Sequence, residues 1–148
     1  MAEASAHPVQ QIHVVPTQSG TAVFLVLKSK TIVIQVDPAV GEALQAALAG
    51  KAAERPLSHD LMLNLLKGVD ARVERVVISD VREGVFFAKV VARLDGPVAS
   101  KLAEVDARPS DSLVLAVKAK APVLVLPAVE AACDDMSEAL AKLRRKEG

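Results

Sequence analysis

Apolar and polar residues alternate along much of this chain, and the period changes sharply at a few places. From Lys101 to Asp106 the alternation puts Lys101, Ala103 and Val105 on one side of a strand and Leu102, Glu104 and Asp106 on the other. After Arg108-Pro109 the spacing becomes helical. Proline suits a first helical position, where its missing N–H costs nothing. Ser110 and Asp111 then fall in a first turn whose free N–H groups and dipole favour oxygen atoms and negative charge. A strand therefore ends and a helix begins within a few residues, and that junction carries the densest polar chemistry in the sequence.

The same reading orders the rest of the chain. Residues 1–20 are small and polar, with Pro8 and Pro16, and form a flexible segment from which Ile12 to Val15 can add an edge strand. Ala22 to Leu27 and Thr31 to Val36 pair as a hairpin around Lys28-Ser29-Lys30. Asp37-Pro38 opens a helix as N-cap and first residue, with Val40, Ala43, Leu44, Ala47 and Leu48 as its buried stripe and Gly50 as a left-handed cap. A polar linker over 51–54 leads to Arg55-Pro56, and Ser58 caps a second helix that stops near Gly68. Val73 to Ser79 and Val85 to Arg93 make a hairpin around a turn at 80–84, and Val98 to Asp106 completes a three-stranded meander. The helix from Pro109 ends near Lys120, Val123 to Leu126 is a short apolar strand, and Ala128 to Lys146 reads as one amphipathic helix. The expected fold is α+β in a single domain, a largely antiparallel sheet packed by helices. Its body spans 21–127 and its terminal helix 128–148.

Composition narrows the function classes. The chain has 148 residues, 51% of them hydrophobic and only 2% aromatic, so the core must be aliphatic. Lys plus Arg and Asp plus Glu number 18 each, which leaves no global basic field to attract nucleic acid. With no Tyr or Trp, stacking platforms for single strands are nearly absent. That argues against a high-affinity nucleic-acid binder but not against an enzyme that touches one or two phosphates. The single Cys133 cannot form an internal disulfide, and no Cys/His spacing resembles a zinc site. The first residues have neither a basic n-region nor an apolar h-region, and no apolar run spans a bilayer. The expectation is a cytoplasmic protein with no membrane partner.

Candidate chemistry gathers at two helix starts. Glu104 and Asp106 share a strand face and Asp111 begins the adjoining helix; oxygen-only ligands of this kind suit Mg²⁺ or Mn²⁺. Each acid also has a structural reading, as a solvated strand residue, a turn-bonding group and a helix cap respectively. Arg108 either clamps a phosphate or pairs with Asp106 or Asp111. His59, beside Asp60 in a first helical turn, suits a general acid or base or a structural histidine. An internal echo links the two places. Arg55-Pro56 is followed by Ser58 and Asp60, and Arg108-Pro109 by Ser110 and Asp111, each before an aliphatic helix and an apolar strand.

Three segments carry a resemblance: Arg55-Pro56-Leu57-Ser58-His59-Asp60-Leu61, then Val77 to Ala88, then Asp106-Ala107-Arg108-Pro109-Ser110-Asp111. In order and separation they resemble the bifunctional nuclease domain family, over about Ala22 to Leu126. The resemblance implies the same α+β fold, a homodimer, and cleavage of RNA and DNA as transient partners. Membership in these motifs adds Arg55, Ser58, Arg82 and Ser110 as substrate-binding candidates. Two departures stand out: Val36-Asp37 and then Val40 replace an Ile-Gly-acid pattern, and Phe87 replaces a Tyr. Two functions follow. One is a metal-assisted nuclease using His59, Asp60, Asp106, Arg108 and Asp111, with Glu104, Asp106 and Asp111 on a divalent metal. The other is a non-catalytic dimeric interaction or regulatory module of the same fold.

Overall fold

β-Branched residues bounded by Gly20, Lys28-Ser29-Lys30 and Asp37-Pro38 form the first sheet in this computed structural model, which describes residues 5–147. Residues 1–4 of the expected N-terminal segment and Gly148 lie outside the described residues. After a two-residue strand β1 (His7–Pro8) come β2 (Gln11–Thr17), β3 (Gly20–Val26) and β4 (Thr31–Val36), joined antiparallel in that order. The expected edge strand at Ile12 to Val15 is the centre of β2. Central β3 is buried on both faces: Val23 and Leu25 look into the main core, while Ala22 and Phe24 look the other way. Each face therefore needs a cover.

Helix α1 (Pro38–Leu48) packs across this sheet with Leu44 buried. Gly41 permits the approach, because a Cβ there would meet Thr21 Cγ2 at 2.7 Å. Gly50 ends the helix at φ +69°, as its left-handed cap requires. Helix α2 (Ser58–Gly68) starts one residue away from the expectation: Leu57 is the N-cap and Ser58 the first helical residue. The reason is Asp60, whose carboxylate accepts the Leu57 N–H at 3.0 Å and makes a serine cap unnecessary.

The second sheet is built from long strands. β5 (Ala71–Arg82) and β6 (Val85–Asp95) pair antiparallel, and β7 (Ser100–Ala107) adds to β6 as an edge. The turn expected over 80–84 is only Glu83-Gly84, with φ of +50° and +79°, so Asp80 and Arg82 are strand residues. Two bulges in β5, near Val73 and Ile78, absorb the register offset that the sequence pattern made look like a turn. Helix α3 (Pro109–Ala119) is the most buried helix, and it ends at Lys120 in the left-handed region at φ +57°. β8 (Val123–Val125) then pairs parallel with β5 and antiparallel with β1. The order β1-β8-β5-β6-β7 is thus mixed, with one parallel pair in a largely antiparallel arrangement.

The single terminal helix expected over 128–146 is two helices, α4 (Pro127–Ala132) and α5 (Ser137–Glu147). Their apolar residues serve different cores. Val129 is buried in the main cluster, whereas Leu140, with Met136 and Leu143, covers the outer face of β3 at Phe24. One straight helix cannot reach both. Asp135 makes the break, accepting the Thr31 and Ser137 N–H groups at 3.0 Å each. Among the described residues no helix is long and apolar enough to cross a membrane.

Candidate functional site

Three helix starts converge at one place. Each begins after an extended residue, and α1 and α3 each open with proline, so their first free N–H groups come from the second and third helical positions. Arg108, the residue before α3, ties them together. Its Nε donates to Asp111 Oδ2 at 2.9 Å, and its Nη1 donates to Asp37 Oδ2 at 3.3 Å at the start of α1. The other oxygen of Asp111 accepts from His59 Nε2 at 2.9 Å, in the first turn of α2. Beside His59, Asp60 is paired with Lys118 of α3 at 2.8 Å.

The electrostatics of this chain follow from its geometry. Burial pushes the Asp111 carboxyl upward, but the hydrogen bonds and charges of Arg108 and His59 outweigh it and hold the group below its ordinary value. Bonding to Asp111 raises Arg108 in turn. Asp60 is held low by the hydrogen bond from Lys118 and then by the Leu57 N–H. With Asp111 ionised, the proton between it and His59 belongs to Nε2, so the neutral imidazole keeps its lone pair on Nδ1. A second group can therefore deliver a proton to Nδ1 while Asp111 steadies the resulting cation.

The remaining candidates are distributed around this centre. Ser110 is buried, with 7% exposure, and lines a cavity of about 690 Å³ with Arg108, Asp37 and the hairpin turn at Gly84 to Phe86. Arg82 lies in β5 next to that turn, bonded to Asp80 at 2.7 Å and stacked over Phe87 at 5.2 Å, outside the His59–Asp111–Arg108 chain. Arg55 and Ser58 are exposed and make no side-chain hydrogen bond among the described residues. Glu104 pairs with Lys89 at 3.5 Å. The register of β7 on β6 puts Glu104 and Asp106 on the face opposite Val105 and Ala107, while α3 with Asp111 packs against the Val90 side.

The acids grouped in sequence for a divalent metal are therefore divided. Among the described residues no three His, Cys, Asp or Glu side chains come together closely enough to hold an ion. Asp106 lines a groove together with Arg108 and Asp111, while Glu104, two residues earlier on β7, pairs with Lys89. Conversely, Asp37 and Lys118 belong to the centre although neither is among the site candidates of the sequence. Asp37 precedes Pro38 as a helix cap would, yet its side chain makes no capping bond and accepts from Arg108 instead. For Lys118, at the far end of α3, no local pattern announces the partner.

Comparison with known proteins fits this architecture. The bifunctional nuclease domain matches residues 23–135, and the chain belongs to that family. It is also similar to uncharacterized proteins of two Mycobacterium tuberculosis strains, CDC 1551 / Oshkosh and ATCC 25618 / H37Rv. Each is 33% identical over 94 residues, covering 61% of this chain and 53% of the relative. The chain thus spans about half the length of the curated relatives it matches. The family match ends at the break between α4 and α5.

Proposed function

We propose that this protein hydrolyses phosphodiester bonds in RNA, DNA or both, with His59 and Arg108 acting through their shared partner Asp111. The observation that carries this reading is the bonding of Asp111, by one oxygen to an imidazole and by the other to a guanidinium, where three helices begin. Arg108 is 60% exposed at its side chain, and its remaining N–H groups are available to non-bridging phosphate oxygens. The first-turn N–H groups of α3 add positive potential at the same point. His59 Nδ1 takes a proton from the attacking water as its oxygen bonds to phosphorus; the ester P–O bond breaks, and the proton is returned to the leaving oxygen. Asp111 holds the ring and balances the imidazolium.

The decisive assay is degradation of single-stranded RNA and DNA by highly purified protein beside His59→Ala and Asp106→Ala/Asp111→Ala variants. Runs with EDTA and with added Mg²⁺ or Mn²⁺ read the metal expectation directly. Loss of cleavage in His59→Ala supports the proposal. Equal cleavage by every variant assigns the activity to a contaminant or to another site.

A second reading, a non-catalytic dimeric interaction or regulatory module, is favoured by the apolar surface of α2. Leu65 and Val69 are 63% and 62% exposed, and with Met62 and Val105 they border a groove beside Arg108 and Asp111. The homodimer belongs to both readings, with this groove as its contact. A stable dimer without nuclease activity, and with an unfolding temperature lowered in Asp106→Ala/Asp111→Ala, would select the second.

A further inference from the structure

The network at Asp111 does not end at His59. Beside the imidazole, a cavity of about 190 Å³ opens against the segment from Lys51 to Leu57, lined by His59, Asp60, Lys118 and Lys51. It adjoins a larger one of about 470 Å³ that shares Lys51, Asp60 and Lys118 and extends to Lys120 and Glu54. Small residues make the room: Ala43, Ala46, Ala52 and Ala53 form the walls of the smaller cavity. The charges are unbalanced. Asp60 is already matched by Lys118, whereas the side chains of Lys51 and Lys120 make no hydrogen bond or ion pair among the described residues. Against these two free ammonium groups stands the single carboxylate of Glu54. The surplus of ammonium groups over carboxylates favours an anion over a cation.

We propose that these adjoining cavities are a second phosphate site, in which the free ammonium groups of Lys51 and Lys120 hold the backbone of a single-stranded polynucleotide next to the phosphate engaged by Arg108. The inference rests on the nuclease reading and deepens it, because it names the substrate as a strand with at least two consecutive phosphates. The strand would pass from Arg108 across the His59–Asp111 pair toward Lys51, leaving cationic groups on both sides of the proton-transferring ring. The smaller cavity, about 190 Å³, has room for the phosphate of one strand and not for the paired width of a duplex. The polynucleotide phosphates supply the affinity that the chain's zero net charge withholds from the surface as a whole. Lys51 is the point at which to test this, because its side chain ties no element of the fold.

The experiment measures binding of a fluorescent single-stranded oligonucleotide over a range of salt for the wild type, Lys51→Gln, Lys51→Glu and, as a control on the distant α5, Lys142→Gln. One phosphate contact fewer lowers the slope of log affinity against log salt by roughly 0.7 for a single strand, and that is the expected change in Lys51→Gln. Affinity at low salt falls about threefold to tenfold in Lys51→Gln and further in Lys51→Glu, with unfolding temperatures unchanged, Lys142→Gln like the wild type, and duplex of the same sequence binding more weakly. Identical slopes for wild type and Lys51→Gln overturn the second site while leaving the nuclease reading intact. An equal loss in Lys142→Gln shows diffuse surface charge and also overturns it. A wild type that binds no oligonucleotide removes this inference, and whether the same preparation cleaves then judges the nuclease reading separately.

Discussion

His59 and Asp111, 52 positions apart in sequence, meet with 2.9 Å between Nε2 and Oδ1, and that bond joins the first turn of α2 to the first turn of α3. Asp111→Asn replaces a carboxylate that stabilises imidazolium with an amide that does not. The expected loss in kcat for oligonucleotide cleavage is about 10²-fold to 10⁴-fold, the range for a positioned acid or base. His59→Gln should fall in the same range, and the double variant little further, because the two residues act as a unit. Additive losses measured in steady-state kinetics would separate them.

Arg108 contacts Asp111 and Asp37 while its side chain stays largely exposed, so those ion pairs add little to folding. Arg108→Lys keeps the charge but loses the planar fork. Roughly a tenfold rise in KM is expected, with an unfolding temperature close to that of the wild type. A large drop in unfolding temperature with kinetics unchanged would make Arg108 a structural tie alone.

Acid stability should carry the signature of Asp60 and Asp111. Both carboxyls lie below the ordinary 3.8 in the folded protein, so at low pH the unfolded chain binds more protons than the folded one. Their contribution is complete above the unfolded value and is lost as pH falls through the lower, folded value. Urea unfolding at a series of pH values below about 4 should therefore give a shallower decline for Asp60→Asn and Asp111→Asn than for the wild type. Parallel curves would contradict the assignment.

Gly41 marks a close approach of α1 to β3. A methyl group there would lie 2.7 Å from Thr21 Cγ2, so Gly41→Ala should cost about 1–3 kcal/mol in denaturant unfolding. Adding Thr21→Ala removes the nearest atom and should recover part of that loss. Failure to recover any would place the strain elsewhere in α1.

The exposed groove on α2 gives a test in solution. Leu65→Arg should leave the circular dichroism spectrum unchanged, because Leu65 is 63% exposed. In sedimentation equilibrium the same change should shift any dimer toward monomer. An unshifted dimer would move the contact to another surface.

Much of this fold was legible because hydrophobic period and turn chemistry agreed. Alternation located β3, β4, β6 and β7 to within a few residues, and Pro109 with Asp111 located the start of α3. The misjudged elements were those in which tertiary contacts override local pattern. Asp80 and Arg82 look like turn residues, yet the bulges in β5 carry the strand past them. The apolar stripe from Val129 to Leu143 satisfies one helical period, but two different cores divide it at Asp135. At the candidate site, motif and capping rules singled out His59, Arg108 and Asp111. They could not supply the partners Asp37 and Lys118, because pairings across 71 and 58 positions leave no trace in local spacing.

Glu130, buried in α4, is bonded to His7 and to Ser29, across 123 and 101 positions of chain. β8, just before it, closes the only parallel pair among the described strands, against β5. During synthesis the hairpins and the helix starts around Asp111 emerge well before this clasp can form. Synthesis must therefore pass Glu130 before the two sheets lock, and a message truncated shortly before Glu130 would yield a product with its hairpins in place but without the bonds that tie His7 and Ser29 together.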